Sequence, residues 1–187
     1  MATTVKKCID VLLVKAELTG RLERRRLKGR HLVCVDLIWP RSSIAKKSAA
    51  REAVFRKGVS DFSQEPWAKR VLFREDVEGY TAFAVSVTET VTLQKLRRFA
   101  RLTAKYAFRM GADFMEKGMV GYADIASAPI DALSAMVGEK DAPKAIAQGV
   151  LDLPVLPPDG EETVAVVSLK DPESGDPAGT LTLLVRG

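Results

Sequence analysis

Histidine is almost missing from this chain: His31 is the single one among 187 residues, and the cysteines number two, Cys8 and Cys34. Neither cysteine has a second pair or a His-rich neighbour, so the spacing of metal ligands is absent. Both cysteines sit in apolar, strand-like runs and read as reduced, buried thiols, with a disulfide between them as the minor alternative. His31 has no companion from a Gly-x-Ser-x-Gly elbow, a glycine-rich phosphate loop or a His-Glu-x-x-His pair, none of which occurs. It reads as a surface or loop-end histidine, and strand alternation places it on the face opposite Cys34. No enzyme, cofactor or metal is expected.

Long apolar runs are lacking as well. Nothing approaches the roughly 20 apolar residues of a membrane span. The opening KKCIDVLLVKAEL is interrupted by Asp10 and Lys15 and has no secretory core. The expected location is the cytoplasm, with a peripheral membrane association as an option. Aromatic residues make up only 6% of the chain and do not interleave with the basic ones, which disfavours nucleic acid as a partner.

What is present is charge, unevenly placed. Residues 1–118 hold 25 basic and 13 acidic side chains, a net +12, whereas residues 119–187 hold 4 and 11, a net −7. Such a split favours attraction to acidic protein or anionic surfaces, and it permits head-to-tail association of copies. The acidic clusters Glu75, Asp76, Glu78 and Asp171, Glu173, Asp176 read as solvated turns rather than acid–base pairs.

The local patterns are mostly those of strands. CIDVLLVKAEL and RHLVCVDLIW are rich in Val, Leu and Ile and flank the basic stretch TGRLERRRLKG. REAVFRKGV, residues 51–59, is read as a further strand. AKRVLFREDV and YTAFAVSVTETV are separated by the turn signal Glu78–Gly79. In the second of these Phe83, Val85 and Val87 alternate with Ala84, Ser86 and Thr88, the period of a strand with one buried face. DALSAMVGEKDAPKAIAQGV is Ala-rich and is expected to contain one or two short helices. The chain closes with two strands, the last burying Leu181, Leu183 and Val185.

One segment breaks this pattern. In LQKLRRFARLTAKYAFRM, residues 93–110, the side chains Leu96, Phe99, Thr103, Tyr106 and Met110 recur at helical spacing, and Arg98, Arg101, Lys105 and Arg109 fall on nearly the opposite face. Thr92 serves as N-cap and Gly111 or Gly118 as the stop. The spacing predicts an amphipathic helix within residues 91–118.

The order of elements predicts a mainly β protein, an antiparallel sandwich of about eight strands in one domain over residues 1–187. CIDVLLVKAEL resembles the opening strand of the C2 domain, a calcium- and phospholipid-binding β-sandwich. PWAKRVLFREDVEGYTAFAVSVTET, DFMEKGMVGYADIASAPIDAL and VSLKDPESGDPAGTLTLLV resemble later segments of that family in the family's order. The resemblance implies an eight-stranded C2-like sandwich with the helix inserted at the third calcium-loop position. Calcium sites of that family need several carboxylates on facing loops. Here Glu23 lies among Arg24, Arg25 and Arg26, and Glu89 stands alone, so the expectation is a calcium-independent module.

The expected function is that of a scaffold or assembly subunit working through protein contacts, including contacts with further copies of itself. The alternative is an adaptor for anionic phospholipid headgroups. Arg24, Arg25, Arg26, Arg98, Arg101, Lys105 and Arg109 are the candidate partner or anionic-surface residues. Leu96, Phe99, Tyr106 and Met110 are the candidate contacts for packing on the chain's own sandwich, on a partner or on a second copy.

Overall fold

The computed structural model describes residues 6–20, 22, 31–39, 47–89 and 144–187. The predicted helical insertion at 91–118, with all eight of its candidate residues, lies outside them, as do Arg24, Arg25 and Arg26.

The described elements run β1 (Lys6–Leu18), β2 (His31–Ile38), β3 (Lys47–Ala53), β4 (Val59–Asp61), α1 (Trp67–Arg70), β5 (Val71–Glu78), β6 (Thr81–Thr88), β7 (Ala145–Leu153), β8 (Glu162–Lys170) and β9 (Pro177–Arg186). Every pairing is antiparallel, in the order β3-β2-β6-β7-β8-β9-β1-β4, with β5 also on β1. The path is nearly broken between β7 and β8, which share one register pair, Gln148 with Lys170. It therefore divides into two sheets, β3-β2-β6-β7 and β8-β9-β1-β4/β5. Both contribute to one core: Val33, Val35, Leu37, Phe83, Val85 and Val87 from the first, and Ile9, Val11, Leu13, Val167, Leu181, Leu183 and Val185 from the second. These residues alternate along their strands, which is why a period of two in the sequence produces a shared apolar layer.

The antiparallel, mainly β architecture agrees with the sequence expectation, as does burial of Leu181, Leu183 and Val185 in β9. Several details differ. The last part of the Ala-rich run is extended: residues 145–153 form β7 and pair with β6 along its whole length, while residues 131–143 lie outside the described ones. A strand edge with unpaired amides needs partners, and satisfying them outweighs the few tenths of a kcal/mol per residue that separate Ala from strand formers. Gly149 belongs to this arrangement, because a Cβ there would stand 2.2 Å from the Ser168 carbonyl oxygen across the β7–β8 seam.

The strand expected over residues 51–59 is divided. β3 ends at Ala53, and the chain turns through Lys57 and Gly58, both at positive φ (50° and 79°), before β4 begins at Val59. β4 and β5 then lie end to end along the same edge of β1, with α1 in the interruption, so the count becomes nine. In β6 the alternation does not mark one buried face, since all eight residues are buried, and the same holds for β2. Ala84, Ser86 and Thr88, read as lying off the buried face, are buried as well.

The outer edges of the two sheets, β3 and β5, are tied by a side chain. Arg51 donates from Nε to the Lys69 carbonyl oxygen (3.2 Å), from a terminal nitrogen to that of Val71, and from the other to that of Ala50 (3.0 Å). Lys47 and Glu75 add an ion pair between the same strands at 2.9 Å. Glu75 and Asp76 accordingly lie within β5 rather than in the turn, which is Gly79–Tyr80 with Gly79 at φ 71°.

A candidate binding surface at one end of the sandwich

Four connections leave the same end. β1 runs into the stretch 19–30, β3 into 54–58, β6 into 89–144 and β8 into 171–176. The backbone joins them: Leu18 N–H donates to Gly58 O (2.7 Å), Thr19 N–H to Ala178 O (2.9 Å) and Glu89 N–H to Lys144 O (2.8 Å). The long excursion from β6 to β7 is thus closed at its base, where chain departure and return are hydrogen bonded to each other.

His31 is central to this end. It is fully buried, with Nδ1 2.7 Å from the Thr88 carbonyl oxygen and its ring packed edge-on against Phe55 at 5.4 Å between centroids. The next residue, Leu32, donates its N–H to the Thr88 hydroxyl oxygen at 3.1 Å. The expectation of a surface histidine is therefore corrected. Position 31 starts the central strand β2 and faces inward with Val33 and Val35, so its ring enters the core and uses Nδ1 on the neighbouring strand's last carbonyl. The effect is to fasten the exit of the 19–30 stretch to the departure point of the 89–144 excursion. His31 does lie on the face opposite Cys34, as the alternation required.

Six of the ten residues at positions 21–30 are basic. Leu22, the one described residue among them, is 3% exposed and belongs to the core. From the adjacent 54–58 connection Arg56 and Lys57 face solvent beside the exposed Val54. The acidic stretch 171–176 shares this end, but Asp171 is not a solvated turn carboxylate. It is 7% exposed, and its Oδ1 accepts from the N–H groups of Glu173 (2.9 Å) and Ser174 (3.4 Å), shaping its own loop.

A second polar group of interest lies on the outer face of β2 and β6. Asp36 is 5% exposed, and burial pushes its carboxyl up to about 7 against a hydrogen bond from Ser48 that favours ionisation. Two residues away Cys34 pairs in register with Ser86. Burial, with Asp36 adding to it, pushes its thiol up to about 12, which makes it inert as a nucleophile. Cys34 is buried as expected. Cys8 is not: it is exposed on β1, and both are free thiols. The signal missed was that strand β1 carries Lys6, Cys8 and Asp10 on its outward face.

Among the described residues no group of three or more His, Cys, Asp or Glu side chains could hold a metal ion, and no helix is long and apolar enough to cross a membrane.

A solved structure of plant extended synaptotagmin 1, C2A domain, at 2.0 Å resolution, is similar over 98% of this chain and 95% of that one, with a TM-score of 0.45 and 12% identity. No family model matches the chain, and no curated protein does.

Proposed function

We propose that this chain is a non-catalytic, calcium-independent binding module that acts as a scaffold or assembly subunit, engaging acidic protein surfaces through the end of the sandwich where its basic connections converge. The observation that carries this reading is the His31–Thr88 junction, which brings the base of the 21–30 stretch next to the base of the 89–144 excursion. Both stretches are rich in basic residues in the sequence, and their described bases meet at one end, which supports reading them as one surface. In water a single surface charge contributes little. Several on one surface raise the local potential and the rate of encounter with an anionic partner. The non-catalytic reading draws support from the described titratable groups: His31 and Asp171 are occupied in holding the backbone, and the Cys34 thiol is buried and protonated.

Residues 119–187 carry a net −7 against +12 for residues 1–118, so a second copy is one acidic partner the basic end can meet, and homo-oligomers at low salt follow from this reading. A second reading, a peripheral adaptor on anionic phospholipid, is favoured by the same convergence, because connections leaving one end can all approach a flat surface.

The test is a pull-down with wild type and with Arg24, Arg25 and Arg26 changed to Glu, in parallel with flotation on phosphatidylserine and phosphatidylcholine vesicles. The protein-contact reading expects salt-sensitive capture of acidic proteins that the variant loses. Salt-sensitive flotation on phosphatidylserine alone selects the adaptor. An unchanged partner set together with no flotation rejects both.

A further inference from the structure

Residues paired in register across an antiparallel sheet share a face, and on the outward face of the second sheet the register aligns two rows. One runs Glu162, Arg186, Asp10, Arg74 across β8, β9, β1 and β5, and the next runs Val164, Leu184, Leu12, Val71. The first row alternates in charge, − + − +. Glu162 accepts from Arg186 at 2.8 Å and Arg74 lies 3.5 Å from Asp10, so each acid has a basic neighbour within its row. Beside it Val164 is 62% and Val166 49% exposed, while Leu184 and Thr182, their partners on β9, are half-buried. Two valines in water at consecutive outward positions of one strand form an apolar patch that the core does not use.

The order of charges points to what covers this patch. A row reading − + − + becomes + − + − when turned end for end. A second copy related by a two-fold axis parallel to the strands, midway between β9 and β1, therefore sets opposite charges against one another. Glu162 then faces the copy's Arg74 and Arg74 the copy's Glu162, with side chains 42% and 70% exposed and free to meet. Asp10, whose side chain is 15% exposed, stays with Arg74 in its own row and contributes charge rather than a new contact. The same rotation lays Val164 and Leu184 over the copy's Val71 and Leu12. Leu12 is already buried, so the apolar gain comes from the valines and Leu184. Two sheets stacked with their strands aligned is the ordinary sandwich arrangement. A partner carrying charge of one sign would leave two of the four groups facing their like.

We propose that this outer sheet face is the interface of a two-fold dimer of the chain, in which Val164 and Leu184 supply apolar contact and the two Glu162–Arg74 pairs fix the register. The surface is separate from the basic end and does not depend on the function proposed for that end. Four strands at about 4.8 Å spacing and about eight residues long give roughly 500 Å² per copy, near the lower bound for a specific interface. The dimer is accordingly weak and concentration dependent. It closes at two copies, whereas head-to-tail association through the basic end is open-ended.

The test is sedimentation equilibrium of the full chain from about 10 μM to about 1 mM, the range a small interface calls for, at physiological and at high salt. The expected result is a monomer–dimer equilibrium that persists at high salt, where a contact between exposed charges alone would be screened. Val164→Lys, at an exposed position the fold tolerates, is expected to weaken the dimer by roughly tenfold or more, because it buries an unpaired charge. At physiological salt Glu162→Arg and Arg74→Glu are each expected to weaken it by roughly tenfold, by setting like charges opposite one another. The double variant is expected to recover most of that loss, which a role confined to one chain's own row cannot produce. Monomer at every concentration, species beyond the dimer at high salt, indifference to Val164→Lys, or additive loss in the double variant overturns the inference. So does loss of the dimer when Arg24, Arg25 and Arg26 are changed to Glu, which would assign it to the basic end. Failure to capture acidic proteins bears only on the proposed function, so the two fail separately.

Discussion

His31 and Thr88, 57 positions apart, are joined by a 2.7 Å contact from the imidazole Nδ1 to the backbone carbonyl oxygen, in a site with no solvent access at either residue. With Nδ1–H donating, the buried Nε2 is left without a partner, so the ring is kept for the bond it makes and the core it fills. Replacing His31 with Phe preserves the volume and orphans the Thr88 carbonyl. The expected cost is about 1–3 kcal/mol, the usual penalty for a buried acceptor left unpaired. It is read as a lower urea midpoint with an unchanged m-value.

Arg51 closes the far side of the sandwich by supplying donors to carbonyls of Lys69 and Val71. A lysine keeps the charge but cannot present the planar fork that reaches both. Arg51→Lys is therefore expected to lose about 1–2 kcal/mol. Hydrogen exchange should accelerate in β3 and β5 while β8 and β9 remain protected. Uniform acceleration across both sheets would contradict this local role.

Asp36 makes stability depend on pH in the direction opposite to an ordinary salt-bridged carboxylate. Burial holds its folded-state value at about 7, above the value of 3.8 it starts from. Between these limits the folded protein retains a proton that the unfolded chain releases, so stability is greatest below pH 4 as far as this group is concerned and falls as pH rises towards 7. The slope approaches about 1.4 kcal/mol per pH unit. Asp36→Asn is expected to flatten it, measured by urea unfolding at pH 5 and pH 8, with the variant gaining on wild type at the higher pH.

The two thiols should separate cleanly in reactivity. Cys8 is exposed and Cys34 buried, with its thiol pushed up to about 12. An aromatic disulfide reagent at neutral pH is expected to titrate one thiol in native protein and two in urea, and Cys8→Ser should abolish the native reaction. Two fast thiols in the native state would mean that the outer face of β2 is open.

These sites differ in how far the sequence revealed them. The period of two in Phe83, Val85 and Val87 marked β6, because alternation follows directly from pleating. It could not reveal that Ala84 and Ser86 are buried too, since small residues suit a covered face as well as a wet one. Ala145–Leu153 concealed a strand behind helix-favouring composition, for its conformation is set by the edge of β6 rather than by its own residues. His31 was misplaced for a related reason: a single histidine at a strand start carries no local sign of the carbonyl it will meet 57 positions later. The basic stretch at 21–30 was legible as charge. That it shares an end with the β6–β7 excursion came only from the pairing of strands.

The most direct test of recognition at one end is a map of contacts. With a poly-glutamate peptide as an acidic protein surrogate, amide shifts are predicted at Arg56, Lys57, Thr88 and Lys144 and not at Gly79 or Tyr80. Shifts concentrated at the 79–80 turn, or spread evenly over both ends, would contradict it.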